Sequence, residues 1–179
     1  MEKLHLIITG GTIDSEWTPS GADTFFVGDE CHTLVQPRHH SHIRKYILRN
    51  IRPTFEIVES VVSMVDSNNM TDEIRADIIA EIEKSDCENF IVSHGTDTLI
   101  ATAKMVKNHF KNTTKKIVFL GAFVPLVSGE PTDAPFNLGY AVSKFDCLAG
   151  GVYIAMNAQI FDPENCAKNF ETKVFHTVK

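Results

Sequence analysis

Apolar positions along the chain follow two different periods. Short apolar runs at Leu4–Ile8, Phe55–Val62, Phe90–Val92, Ile117–Leu120 and Val152–Ala155 have strand length and are rich in β-branched and aromatic residues. Between them the spacing becomes helical. Ile43, Ile47 and Ile51 recur every four residues until Pro53 forbids continuation. Ile74, Ile78 and Ile82 do the same after a start at Thr71, with Asp72 and Glu73 in the first turn. Leu99, Ala103, Val106 and Phe110, then Leu138, Val142 and Phe145, complete the set. This alternation predicts an α/β fold, a doubly wound and mainly parallel sheet with helices on both faces and right-handed crossovers. The length, 179 residues, suits one domain over residues 1–179. Gly10 to about Thr33 breaks the pattern. Its Gly, Pro, Ser, Asp and aromatic residues have no firm period and predict a long irregular loop, a form often used as a lid.

Composition narrows the function. A net charge of −6 argues against a broad nucleic-acid surface. The basic stretch Arg38–Arg52, diluted by His39, His40 and His42, reads as a solvated helix face. No run has the length of a membrane span, and Leu4–Ile8 is too short for a secretory h-region. Cys31, Cys87, Cys147 and Cys166 form no C-x-x-C pair and read as reduced thiols of a cytoplasmic protein. Cys31-His32 and the later histidines lack two ligand pairs, so no metal is expected. Gly10-Gly11 matches neither phosphate-loop pattern, and no cofactor is expected.

In a parallel α/β sheet, ligands bind beyond the carboxyl ends of the strands. The five strands run into Thr9-Gly10-Gly11-Thr12-Ile13, Met64 to Met70, Ser93-His94-Gly95-Thr96-Asp97-Thr98, Gly121 to Pro125, and Met156-Asn157. Four of these ends carry hydroxyls, amides or tight glycines, which the predicted topology gathers on one rim. Each also has a plain structural reading. Gly10-Gly11 serves a tight turn, Asp66-Ser67-Asn68 a turn before a helix, and Thr96-Asp97-Thr98 a helix cap. Read alone, Lys168 is a solvated lysine in a polar tail.

Taken in order, Thr9–Ile13 and His94–Leu99 closely resemble the two signature motifs of the L-asparaginase family. Asp66–Met70, Gly121–Pro125 with Asp133–Leu138, and the stretch from Met156-Asn157 to Lys168 are similar to three further segments of that family. The resemblance implies hydrolysis of the asparagine side-chain amide, with Thr12 as nucleophile and Thr96, Asp97 and Lys168 as a second catalytic set. In that set Lys168 helps deprotonate Thr96, and Asp97 holds the lysine. Ser67, Asn68 and Ala122 are implied to line the substrate site, the first two at the α-carboxylate, with Asp97 meeting the α-ammonium. A tyrosine that many members place thirteen residues after the nucleophile is here Phe25, followed by Phe26, and neither ring donates a hydrogen bond. These two residues are read as an apolar latch on the lid or as core. Larger members carry a C-terminal domain, and the chain resembles the short, single-domain form. A homodimer or higher homo-oligomer is expected. Glutaminase or other small-amide hydrolysis, and catalytically silent amino-acid binding, remain alternatives.

Overall fold

The computed structural model describes residues 1–18, 24–27, 30–35, 40–128 and 131–178, and within 16–39 it describes the backbone alone. In chain order the first elements are β1 (Lys3–Gly10), a 3-10 turn (Thr12–Asp14), β2 (Glu16–Thr18), β3 (Thr24–Val27) and β4 (Glu30–Val35). There follow α1 (Ile43–Tyr46), which runs into a π turn (Ile47–Ile51), β5 (Glu56–Val65), α2 (Asp72–Lys84), β6 (Asn89–Ser93) and α3 (Leu99–His109). The chain continues through β7 (Lys116–Leu120), α4 (Ala134–Lys144), β8 (Gly151–Met156), β9 (Gln159–Phe161), β10 (Cys166–Asn169) and β11 (Val174–Thr177).

The main sheet has six strands in the order β5-β1-β6-β7-β8-β9. All neighbours are parallel except β9, which pairs antiparallel with β8. Because β1 lies inside the sheet, the chain first steps outward to β5 and then returns past β1 to β6. The strand order reverses there, and such a switch point opens a crevice at the carboxyl ends.

Alternate side chains on each strand enter two separate cores. Leu4, Leu6, Ile8, Ile91, Val118 and Leu120 pack with Ile43 and Ile47 and with Ala134, Leu138 and Ala141 of α4. Ile7, Phe90, Val92, Ile117, Phe119 and Ile154 pack with Ile78 and Ile82 of α2 and with Leu99, Ala103 and Val106 of α3. Helices therefore cover both faces, which is why the central strands read as unbroken apolar runs. Each fully buried Leu or Ile contributes about 1.5–3 kcal/mol, and together they fix where the strands end.

Three expectations are corrected. The stripe Ile43/Ile47/Ile51 does not continue as one α-helix. Arg52 N–H closes onto Ile47 O at 3.1 Å, and the wider turn leaves Ile51 36% exposed. The described residues between Gly10 and Thr33 are not irregular. They carry the 3-10 turn and most of a three-stranded antiparallel sheet, β2-β4-β3, with Phe25 opposite His32 and Phe26 opposite Cys31. Gly28-Asp29, which lies between β3 and β4 in the sequence, is a two-residue hairpin signal that the lack of clear alternation had hidden. The side chains of Phe25 and Phe26 lie outside the described residues, as does the latch expected of them. Finally, the segment reaching Lys168 is a β10–β11 hairpin with Lys168 opposite Phe175, too short and too polar to be read as strands.

Candidate active site

The strand ends meet through glycines. Gly10 and Gly11 lead out of β1 with φ of +93° and +78°, and Gly11 N–H donates to Val65 O at 2.9 Å. A Cβ on Gly11 would stand 2.4 Å from Gly95 N, one on Gly95 2.5 Å from Ser67 Cβ, and one on Gly121 2.5 Å from His94 O. Only hydrogen fits at these points, so the ends of β1, β5, β6 and β7 touch through backbone. Thr12, Thr96 and Ala122 each follow one of these glycines directly, and Ser67 is itself a contact. Two hydroxyls tie the same ends together. Thr9 Oγ1 donates to Ser93 O at 2.6 Å, and Thr98 Oγ1 donates to Ser67 O at 2.8 Å.

Thr12 is half-buried at the start of the 3-10 turn. That turn is pinned from two sides. Leu126 N–H donates to Ile13 O at 3.0 Å, and the Asp14 carboxylate accepts the Ser41 hydroxyl at 2.8 Å and His42 N–H at 3.1 Å. Asp14 is fully buried, and loss of water pushes its carboxyl up to about 6. Its second oxygen has no hydrogen-bond partner among the described residues.

Thr96, Asp97 and Lys168 come together from distant segments. Lys168 Nζ donates to Thr96 Oγ1 at 2.9 Å and pairs with the Asp97 carboxylate. Thr96 is 8% exposed, the Lys168 side chain 6% and the Asp97 side chain 44%. The solvated tail read from the residues around Lys168 is thus replaced by a buried ammonium at the sheet rim. Pairing of β10 with β11 causes this, because it sets Lys168 opposite the fully buried Phe175. The capping reading of residues 96–98 does not hold either. The first turn of α3 has no side-chain cap, and the three side chains turn to Lys168 and to Ser67 O.

Ser67 is buried, while Asn68 is exposed and folds back on Asp66, whose Oδ1 accepts both its backbone N–H and its Nδ2 at 2.9 Å. Ala122 is buried. The loop behind it hangs on Asp133, which accepts Phe123 N–H at 3.0 Å and Val124 N–H at 3.0 Å, and Asn137 Nδ2 donates to Gly121 O at 3.0 Å. Sequence reasoning gave these two residues no role of their own, although a polar pair four apart at a helix start signals one buried face. His94 is fully buried and donates through Nδ1 to Gly95 O at 2.8 Å, while Nε2 has no partner among the described residues. Burial lowers its pKa to about 4, so the ring is neutral and the charges beside Thr96 are those of Lys168 and Asp97. Among the described residues, no three His, Cys, Asp or Glu side chains cluster as metal ligands.

Two threonines on adjacent strand ends at a sheet's switch point, one of them held by a buried lysine and its carboxylate, define an α/β protein with its polar chemistry on the carboxyl rim. The chain belongs to the asparaginase family, since residues 3–178 match the family model described as asparaginase, N-terminal. It is 33% identical over 122 residues to L-asparaginase 2 of Escherichia coli strain K12, covering 65% of this chain and 34% of that protein. It is 25% identical over 185 residues to the probable periplasmic L-asparaginase of Haemophilus influenzae, covering 99% of this chain and 50% of that one. Its fold matches the crystal structure of a probable cytoplasmic L-asparaginase from Campylobacter jejuni with a TM-score of 0.75 at 24% identity, covering 99% and 52% of the two chains. The chain spans about half the length of the relatives it matches end to end.

Proposed function

We propose that the chain hydrolyses the side-chain amide of L-asparagine to L-aspartate and ammonia, with Thr12 as nucleophile. The observation that supports this most is the contact of Lys168 Nζ with both Thr96 Oγ1 and the Asp97 carboxylate, on the rim that also carries Thr12. Thr12 Oγ1 attacks the amide carbon, and its proton leaves with the amide nitrogen as ammonia, giving an ester on Thr12. Water then adds to the ester carbon, the bond to Oγ1 breaks, aspartate departs, and a proton returns to Thr12. Thr96 relays protons, because its hydroxyl accepts from Lys168 and keeps its own hydrogen free for another partner. Asp97 holds the lysine and, being partly exposed, also meets the substrate's α-ammonium. Ser67 and Asn68 receive the α-carboxylate, and Ala122 lines the amide end.

Ammonia release from asparagine and from glutamine, measured side by side, tests the reading. Faster release from asparagine is expected. Equal rates would remove the preference and leave a broader amidohydrolase, and no release from either would leave an amino-acid-binding protein. We also propose a homodimer or higher homo-oligomer in a cytoplasmic setting, the second in keeping with the Campylobacter protein and not with the Haemophilus one. Sedimentation velocity and cell fractionation test these two points.

A further inference from the structure

Lys168 is held by more than its two polar contacts. Its Nζ lies 4.9 Å from the centre of the Phe170 ring and 5.4 Å from that of Phe123. We propose that Phe123 and Phe170 are positioning residues that hold the Lys168 ammonium between two aromatic faces and so set it against Thr96, an inference that rests on the reading of Lys168 as catalytic.

A lysine side chain is long and rotatable, and ordering it costs up to about 2 kcal/mol. Thr96 and Asp97 are the polar partners of Nζ among the described residues, and Asp97 is open enough to water for its pull to be screened. Aromatic faces attract a cation within roughly 6 Å of the ring centre, and both rings satisfy that distance. The Lys168 side chain is only 6% exposed although its neighbours in sequence are polar.

Each ring is placed by its own loop. Phe123 follows Ala122, has its N–H on Asp133, and meets the fully buried Phe175 at 6.4 Å between ring centres. Phe170 sits in the β10–β11 turn, where Asn169 Oδ1 accepts the N–H groups of Glu171 at 2.9 Å and Thr172 at 3.0 Å. Phe170 is 66% exposed, so removing its ring leaves the core intact.

The test compares Phe170→Ala and Phe170→Trp with the parent chain by two readouts. The first is the acetylation rate of the Lys168 amine by acetic anhydride, followed by peptide mass spectrometry, which needs no turnover. The second is kcat and KM for asparagine. Phe170→Ala is expected to speed acetylation of Lys168 and to lower kcat about two- to fivefold with KM unchanged, and Phe170→Trp to restore both. Phe123→Leu, checked for fold by circular dichroism, is expected to follow Phe170→Ala. Acetylation of Phe170→Ala at the parent rate overturns the proposal, as does faster acetylation with kcat unaltered. If the parent chain releases no ammonia, the hydrolase reading fails separately. Acetylation then decides alone, a faster rate upholding the clamp and an unchanged rate overturning it.

Discussion

Lys168 Nζ donates to the hydroxyl of Thr96 across 2.9 Å, although the two residues are 72 positions apart. Each arrives on its own element, Thr96 on the turn after β6 and Lys168 on β10, so the contact exists only in the folded chain. Thr96→Ala and Lys168→Met are each expected to lower turnover by about 10²–10⁴-fold. The double variant should fall little further than the worse single one, because groups that act as a unit do not add. Multiplying losses, measured by ammonia release on folded variants, would separate the two residues.

The glycine contacts make opposite predictions at two sites. A methyl group on Gly95 meets Ser67 Cβ at 2.5 Å, so Gly95→Ala is expected to cost about 1–3 kcal/mol and to displace Thr96. Gly139, inside α4, has nothing within 4 Å of its added Cβ. There alanine should stabilise the protein by about 0.5–1 kcal/mol. Urea denaturation of the two variants checks both signs.

Much of the fold was legible because the central strands β1, β6 and β7 are buried on both faces and leave apolar runs, and because the edge strand β5 and strand β8 are rich in β-branched residues. The helix start at Thr71 was equally plain, and its hydroxyl does accept Ile74 N–H at 3.3 Å. The β2–β4 strands and the β10–β11 hairpin were not legible, being short and paired across turns without a sustained alternation. The position of Lys168 followed from family resemblance alone, since its polar sequence neighbours describe a surface. Phe123 and Phe170 left no signal at all, because their meeting at one ammonium depends on two loops 47 positions apart closing on the same point.

Asp14 gives a pH-dependent prediction. Folding buries this carboxyl and raises it from 3.8 to about 6, so the folded state binds the proton more tightly than the unfolded one. Ionisation therefore opposes folding. The cost is absent well below 3.8, grows as pH rises through that range, and is complete above about 6. It amounts to at most about 3 kcal/mol, a net in which burial outweighs the hydrogen bonds from Ser41 and His42 that favour the charged form. Asp14→Asn cannot ionise. Its Tm relative to the parent should be more favourable at pH 7.5 than at pH 4.5, and a difference independent of pH would contradict the assignment.

The proposed hydrolysis turns on attack by Thr12. Thr12 sits half-buried on a strand-end turn whose anchors are Ile13 O and the Asp14 carboxylate, so Thr12→Ala should leave the fold intact. Ammonia release from asparagine by the parent chain and by Thr12→Ala, at matched concentration and with unfolding curves recorded on both, is the direct measurement. Steady release by the parent and none by the variant, at equal stability, is the predicted result. A Thr12→Ala chain that releases ammonia at close to the parent rate would place the nucleophile elsewhere.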